Sequence, residues 1–181
     1  DDRIRIVFME SNQGIAEATN RALEHAEGSY VGLLDNDDEL SLDCLYRVAA
    51  LLNAKEADVV YSDEDLVGED GRRFSVFHKP AFNPALLLSH NFINHFLVIR
   101  RSLLDQLGGL RSQFNGAQDF DLVLRLSEHT DRIEHIPEIL YHWRASETST
   151  SINHQQKSYA HEAGKRALEQ WLQTKQINAE I

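Results

Sequence analysis

Residues 30–40 read Tyr-Val-Gly-Leu-Leu-Asp-Asn-Asp-Asp-Glu-Leu, a mostly apolar run followed at once by a run of acids. The continuous apolar stretch at residues 30–34 is typical of a short strand buried on both faces of a parallel sheet. Open parallel sheets bind their ligands beyond the carboxyl ends of the strands. The acids that follow Leu34 therefore predict a ligand site at the end of this strand.

The segments on either side of this strand alternate between strand and helix patterns. Residues 4–9 are expected to form a strand, and apolar positions from Ile15 to Ala26 recur at helical spacing until Gly28 ends the helix. Ser41 is suited to cap a second helix, and residues 58–62 are expected to form a third strand that also ends in acids. This alternation predicts an α/β fold in which helices flank a mostly parallel sheet.

The second half of the chain continues this mixed pattern. We expect a strand at 96–100, helices at 102–107, 118–129 and about 155–173, two strand-like pieces at 133–136 and 139–143 separated by Pro137, and a polar loop at 146–151. No internal repeat or linker divides the chain. Residues 1–181 are therefore predicted to form a single domain.

The composition excludes several classes of partner. The chain has 18 Lys and Arg against 29 Asp and Glu, a formal net charge of −11, which repels phosphate backbones and argues against nucleic acid. Cys44 is alone, so no disulfide framework is expected, and no apolar run approaches the roughly 20 residues of a membrane span. The chain begins Asp-Asp-Arg without a methionine or a leader, and we expect it to be a piece of a longer protein.

The acidic run has the chemistry of a cation site. Asp35 and Asp37 stand two residues apart in the predicted turn, where both carboxylates can reach one ion, and hard oxygen ligands favour Mg²⁺ or Mn²⁺. An EF-hand would need Gly and Glu where this chain has Leu40 and Tyr46. An aspartyl phosphatase usually has a pair such as Gly-Thr after its second aspartate, whereas this chain has two further acids there. A solvated strand end is the alternative that stays open.

The motifs around this run resemble a known family. Asn-Gln-Gly-Ile-Ala at 12–16, with Asn20 and Ala22, precedes Gly-Ser-Tyr-Val at 28–31 and Leu-Asp-Asn-Asp-Asp at 34–38. In this order and spacing they are similar to the nucleotide-sugar half of family 2 glycosyltransferases, which have the GT-A fold and an Asp-x-Asp signature. The resemblance implies a Mn²⁺ or Mg²⁺ ion held by Asp35 and Asp37. It also implies a nucleotide-diphospho-sugar donor contacted by Asn12, Gly14, Asn20, Asp35 and Asn36.

A second segment extends the resemblance. Asn-Gly-Ala-Gln-Asp-Phe-Asp-Leu at 115–122, followed by Arg-Leu at 125–126, resembles the segment that carries the family's Glu-Asp pair. Gln118 departs from the first position, whereas Asp119 matches the aspartate that acts as catalytic base. A carboxylate in the first turn of a helix is kept ionised by the exposed amide groups there, as a base must be. The alternative is that Asp119 only caps the helix and that Asp121 faces solvent.

Other segments resemble the subgroup that builds bacterial O-antigen and surface polysaccharides. His142, in Leu-Tyr-His-Trp-Arg at the end of a predicted strand, is implied as the third metal ligand, and Arg144 as a contact of the diphosphate. Asp63 and Asp65 are implied as contacts of the nucleotide sugar or the acceptor hydroxyls, and Lys79 as a phosphate contact. The alternatives are a structural histidine, a salt bridge of Arg144, an acidic turn and a surface lysine.

The resemblance implies a metal-dependent, inverting transfer to a saccharide or lipid-linked acceptor in the cytoplasm. A lipid-linked acceptor would bring the protein to the inner face of a membrane, although no basic amphipathic helix supports such contact. The family's first strand-helix-strand unit has no counterpart before Ile4, so an N-terminally truncated GT-A domain is expected. Two alternative functions stay open. One is a non-catalytic carbohydrate-binding or scaffold module on the same fold. The other is a phosphotransferase, which the lack of a Gly-rich phosphate loop disfavours.

Overall fold

The computed structural model describes residues 1–145 and 154–181, and their side chains at residues 1–145 and 158–181. The expected loop at 146–151 lies outside the described residues. The helices are α1 Ile15–Leu23, α2 Cys44–Ala54, α3 Pro84–Leu87, α4 Arg101–Leu107, α5 Gln118–His129 and α6 His154–Thr174. The strands are β1 Tyr30–Leu33, β2 Glu39–Leu40, β3 Val59–Val67, β4 Arg73–Phe77, β5 Leu97–Arg100 and β6 Ile133–Arg144, and a 3₁₀ turn covers Ser112–Phe114.

These strands form one sheet in the order β1-β5-β3-β6-β2, with β4 paired to β3. Strands β3 and β6 run parallel, whereas the other pairings of the described strands are antiparallel. The mostly parallel sheet predicted from the sequence is therefore wrong in its strand directions. A parallel neighbour needs a crossover helix, but between β3 and β5 the chain has only β4 and the four-residue α3. Strand β5 consequently returns antiparallel between β1 and β3.

Helices cover both faces of the sheet, as predicted. Val59 and Val60, adjacent in β3, point to opposite faces and belong to different buried clusters. The Val59 cluster includes Leu122 of α5 and Ala167 of α6, and the Val60 cluster includes Val48 of α2. The α/β class and its layered arrangement are thus confirmed. In the described part of the chain, no helix has the length and apolarity that a membrane span requires.

The strand predicted at residues 4–9 is absent. Ile4, Ile6 and Phe8 have the alternation of a strand, but they are 70 %, 73 % and 89 % exposed. An extended segment becomes a strand only when a neighbour pairs with its backbone, and none of the described strands does so here. The prediction was therefore wrong, because alternating apolar residues show which side of a strand could be buried but not whether a neighbouring strand pairs with it.

Two other strands are longer than predicted, and their length positions the site. Strand β3 continues beyond residue 62 to Val67, so Asp63, Glu64 and Asp65 lie inside the sheet and not in a turn after it. Strand β6 passes through Pro137, where its pairing with β3 skips from Ile136 to Ile139. Proline is tolerated in a strand at such an irregularity because no ladder hydrogen bond is needed there.

Candidate active site

The acidic run after β1 forms a loop that is fastened to the end of β6. Asp38 accepts hydrogen bonds from the Tyr141 hydroxyl and, at 2.7 Å, from the backbone N–H of Arg144. The Arg144 guanidinium donates to the Asp37 carbonyl at 2.7 Å and pairs with Glu39, the salt bridge considered as an alternative. Sequence reasoning missed the anchoring role of Asp38, whose only signal was its place in the acidic run.

Asp35, Asn36 and Asp37 are the exposed residues of this loop. The Asp35 carboxylate lies 4.0 Å from His95 Nε2. Half of the Asp35 side-chain surface is accessible, yet protein atoms crowd the carboxyl group. This partial burial raises the pKa of Asp35, with the charges of the other loop acids and of Asp119 adding to it and the charge of His95 opposing it. An added positive charge would relieve this repulsion between carboxylates.

His95 is a site residue that sequence reasoning missed. Its ring stacks on Tyr141 with centroids 4.9 Å apart, and its Nδ1 lies 3.4 Å from Glu64 Oε2. Burial acts to lower the pKa of His95, but the hydrogen bond and charge of Glu64, with the charges of Asp35 and Asp119, raise it above its ordinary value. These three carboxylates therefore favour the protonated form of His95. It lies in an irregular segment before β5 that has no periodic signal.

Asp119 lies in the first turn of α5, as predicted. Asn91 Nδ2 donates to Asp119 Oδ2 at 3.1 Å, and the Asn94 amide donates to the same oxygen. Burial raises the pKa of Asp119 and outweighs the backbone amides and the Asn91 hydrogen bond, which lower it. The N-cap residue of α5 is Ala117, and the Asp119 carboxylate, in the first turn, is bonded by backbone amides as well as by the two asparagines. A raised pKa makes the carboxylate a stronger proton acceptor than an ordinary aspartate once it is ionised.

Asp121 does not face solvent, so that part of the alternative was wrong. It is buried and accepts hydrogen bonds from Arg111 Nε at 3.0 Å and Arg125 Nε at 3.1 Å. The Arg125 guanidinium also donates to the carbonyls of Leu107 and Gly109. This network ties the beginning of α5, and hence Asp119, to the loop after α4.

The acids of β3 have hydrogen-bond partners inside the protein. Asp63 lies 2.8 Å from His78 Nδ1 and 2.7 Å from His135 Nε2, and it accepts the Lys79 backbone N–H at 3.0 Å. These hydrogen bonds lower the pKa of Asp63 in spite of its burial. Asp65 is likewise buried. Neither carboxylate is placed to contact a donor in this structure, and the alternative of an exposed acidic turn was also wrong.

His142 is completely buried, and its Nδ1 lies 2.6 Å from Asp65 Oδ1. Its other ring nitrogen, Nε2, has no hydrogen-bond partner among the described residues. Within residues 1–145 and 154–181, no three His, Cys, Asp or Glu side chains are arranged to hold a metal ion. The predicted ligands Asp35, Asp37 and His142 are thus not assembled around one point. They do supply suitable ligand chemistry, since carboxylate oxygens and a neutral imidazole nitrogen bind Mn²⁺.

Lys79 is a buried residue and not the surface lysine considered as an alternative. Its side chain is 0 % exposed, and its ammonium group donates to Glu64 Oε2 at 3.1 Å and to the His95 carbonyl. Burial lowers the pKa of Lys79 to about 8. The ammonium group therefore supports the segment that carries His95 and does not reach out to a phosphate.

The predicted contacts at the beginning of the chain connect α1 to the loops before α5. Asn12 Oδ1 accepts the Gly14 N–H at 2.9 Å, and a side chain at Gly14, which has φ 89°, would collide with Asn115. The Asn20 amide pairs with both the N–H and the carbonyl of Leu110, each at 2.8 Å. Both polar atoms of the Asn20 side chain are thus used to hold α1 against the loop at Leu110.

One open cavity, which we call the first cavity, brings the remaining candidates together. Its volume is about 440 Å³, and its apolar part lies between α1 and β1. The polar part is formed by Asp35, Asn94, His95, Gln118 and Asp119. The acidic loop and the start of α5, predicted separately from the sequence, therefore meet at one site.

Known proteins are similar to this chain in sequence and in fold. The sequence model described as Glycosyl transferase family 2 matches residues 1–108. The chain belongs to glycosyl transferase family 2. It is 42 % identical over 175 residues to the uncharacterized protein y4gI of Sinorhizobium fredii, and 41 % identical over 182 residues to the O-antigen biosynthesis protein RfbC of Myxococcus xanthus. The matches cover 95 % and 100 % of this chain but only 19 % and 14 % of those relatives.

Solved structures of other proteins share the fold. The structure of S. aureus TarS 1-349 in complex with UDP-GlcNAc superposes with a TM-score of 0.65 at 18 % identity, covering 93 % of this chain and 55 % of that one. The mannosyltransferase PcManGT from Pyrobaculum calidifontis, in complex with GDP-Man and Mn²⁺, superposes with a TM-score of 0.58 at 16 % identity, covering 98 % and 59 %. The predicted GT-A type fold of this family 2 chain is therefore confirmed.

Proposed function

We propose that this chain carries the catalytic centre of an inverting glycosyltransferase. The enzyme would move a sugar from a nucleotide-diphospho-sugar to a hydroxyl group of a saccharide or lipid-linked acceptor. The observation that carries the proposal is the meeting of Asp35 and Asp119, each with a raised pKa, in one cavity. Titratable groups with shifted pKa values in a cleft are characteristic of catalytic sites. Membership of the glycosyltransferase family supports this reading.

We place the donor in the first cavity, with its diphosphate beside the acidic loop. Asp35, Asn36 and Asp37 are exposed there and can contact the sugar and the ion that accompanies the diphosphate. His95 lines the same cavity, and its carboxylate neighbours raise its pKa, which favours the protonated form beside a diphosphate. TarS and PcManGT, which share the fold, were solved with nucleotide sugars, which supports a donor of this chemical class.

The ion would be Mn²⁺ or Mg²⁺, held by Asp35 and Asp37 with His142 as the third ligand. Two observations support a cation: the loop acids repel one another, and the buried Nε2 of His142 has no hydrogen-bond partner among the described residues. Because these groups are not assembled around one point, we expect the acidic loop to adjust on binding. When bound, the cation would stabilise negative charge on the leaving diphosphate.

Asp119 would act as the general base. As the acceptor oxygen forms its bond to the anomeric carbon, its proton passes to the Asp119 carboxylate. The bond between that carbon and the diphosphate oxygen breaks, and the nucleoside diphosphate leaves with the electron pair. Attack opposite to the leaving group inverts the configuration of the sugar. The two amides of Asn91 and Asn94 hold Asp119 Oδ2 in place for this step.

The biological setting follows from the relatives and is also a proposal. RfbC of Myxococcus xanthus is named for O-antigen biosynthesis, which supports a role for this chain in making a cell-surface polysaccharide. We place the reaction in the cytoplasm, and at the inner face of the membrane when the acceptor is lipid-linked.

Replacing Asp119 by Asn tests the function directly. We expect hydrolysis and transfer of UDP-glucose, UDP-N-acetylglucosamine or GDP-mannose, measured with Mn²⁺, to fall by roughly 10²- to 10⁴-fold, the usual contribution of a general base. Nucleotide binding, measured by calorimetry, should be unchanged. Asp105→Asn, at an exposed side chain of α4, is the control. Undiminished turnover by the Asp119 variant would exclude it as the base, and a wild-type chain that binds these nucleotides without turnover would favour a non-catalytic module.

A further inference from the structure

A buried ion pair that the proposed reaction does not use lies behind the wall of the first cavity. The Lys79 ammonium group donates to Glu64 Oε2 at 3.1 Å, and the Lys79 side chain is 0 % exposed. Neither residue lines the first cavity. The pair therefore meets no substrate there, and any effect that it has on the reaction passes through a third residue.

That third residue is His95, because the pair holds both polar groups of its backbone. Glu64 Oε2 accepts the His95 N–H, and the Lys79 ammonium group donates to the His95 carbonyl. The Nδ1 atom of the His95 ring also lies 3.4 Å from Glu64 Oε2. Residues 88–96 form neither a helix nor a strand, so no regular backbone ladder fixes their course. The contacts with the buried pair take over that task at His95.

His95 and its neighbour Asn94 reach both halves of the candidate site. The Asn94 amide donates to Asp119 Oδ2, and the Nε2 atom of His95 lies 4.0 Å from the Asp35 carboxylate. Both residues line the first cavity. A shift of this one segment would therefore disturb the hold on the candidate base and the surroundings of the acidic loop together.

We propose that Lys79 and Glu64 are positioning residues, which hold His95 so that the neighbouring Asn94 amide keeps Asp119 in place for the reaction. This rests on the proposed function, because it takes Asp119 as the base. The fold disfavours the charge that it buries, since burial lowers the pKa of Lys79 to about 8. Buried ion pairs are weak contributors to stability, which leaves positioning as the role of this one.

Variants of the pair test this role in the hydrolysis of the same nucleotide sugars with Mn²⁺. We expect kcat to fall on the order of a hundredfold in Lys79→Met and Glu64→Leu, the usual effect of a misplacement of about 1 Å, while nucleotide binding in calorimetry stays unchanged. Glu64→Gln should lose less, because its amide oxygen can still accept the His95 N–H. Arg132→Met, which takes a cation from buried Asp58 away from the first cavity, is the control and should keep the wild-type kcat.

A double-variant cycle separates positioning from a loss of stability. If the pair acts through the Asn94 amide, Lys79→Met should lower kcat less in an Asn94→Ala background than in wild type, whereas independent effects multiply. Rates are compared at a temperature at which every variant is folded, and Glu64→Gln replaces Lys79→Met in the cycle if the latter does not fold. Equal factors in the two backgrounds, or a wild-type kcat in Glu64→Leu, would overturn the proposal.

A spectroscopic readout does not need turnover. The NMR signals of the Asn94 side-chain amide, assigned by their loss in Asn94→Ala, should move in Lys79→Met and stay in place in Arg132→Met. Unmoved signals in Lys79→Met would overturn the positioning role whether or not the protein turns over. Wild type that hydrolyses no nucleotide sugar, with signals that do move, would instead count against the proposed function.

Discussion

The free energy of unfolding should rise as the pH is raised from about 8 to 10.5, because of Lys79. Burial lowers the pKa of this ammonium group from 10.5 to about 8 in the folded protein. Between these values the unfolded chain keeps the Lys79 proton and the folded protein has released it. Since the unfolded state then binds more protons, raising the pH favours the folded state. At 1.36 kcal/mol per pKa unit, a pKa lowered from 10.5 to about 8 corresponds to a gain of about 3 kcal/mol.

The gain is best measured as a difference between wild type and Lys79→Met, which keeps the length of the side chain but has no proton to release. Urea unfolding at several pH values across this window gives the free energy of unfolding of each. The difference removes contributions shared by both proteins, such as that of Cys44, whose pKa burial raises to about 11 and which destabilises the fold as the pH rises. Lys55→Met, at a lysine whose side chain is 58 % exposed, is the matched control and should parallel wild type.

The change of this difference with pH is the decisive quantity. The difference in unfolding free energy between wild type and Lys79→Met should increase by about 3 kcal/mol in favour of wild type across this window, and it should be constant at lower pH. Lys79→Met also leaves Glu64 without its ammonium partner, but that loss shifts the whole curve and not the part that depends on the Lys79 proton. A difference that is flat or falls between pH 8 and 10.5 would refute the inference that Lys79 is buried with a lowered pKa.

Two further predictions concern residues that hold the site together. Gly14→Ala should lower the free energy of unfolding by about 2 kcal/mol, because φ is 89° and the new methyl group would collide with Asn115. Gly71→Ala is the control: its φ is 75° but no atom lies near, so it should lower the free energy of unfolding by only about 1 kcal/mol. Equal losses in calorimetry would contradict the collision. Asp121→Asn removes the charge that two arginines share in the interior and should destabilise by about 3 kcal/mol in urea unfolding. A loss below about 1 kcal/mol would mean that the network is not essential to α5.

The parts of the site that the sequence predicts well are those with a local signal. Asp35 follows an apolar strand, and Asp119 stands at the beginning of a helix with a clear apolar face, so both positions follow from periodicity over a few residues. That the two share a cavity depends on the sheet and could only be expected from the family resemblance. The α/β class was likewise predictable from alternation, but the directions of the strands were not.

The parts that the sequence does not predict depend on distant partners. Asn91, Asn94 and His95 lie in an irregular segment, and their roles come from contacts with Asp119 and Glu64, which are 25 to 31 residues away in the chain. Nothing in the local pattern distinguishes them from loop residues. Lys79 was misplaced for a related reason, since a lysine is normally exposed and only the buried Glu64 explains its position.

In this acidic chain, the direction of the pKa shift separates the acids with structural roles from the candidate catalytic acids. Asp58 and Asp63 are both buried. Asp58 accepts hydrogen bonds from Arg100, Thr130 and Arg132, and Asp63 lies within hydrogen-bond distance of two histidines. These contacts lower the pKa of each carboxyl group. Such carboxylates are stabilised as anions and resist protonation, which suits a structural role. Asp35 and Asp119 are treated in the opposite way, because burial raises the pKa of each, neighbouring acids add to the shift of Asp35, and the two lie in the same cavity. A fold that raises the pKa values of two acids at one place while hydrogen-bonding others as anions elsewhere retains a site where a cation can bind and a proton can be accepted.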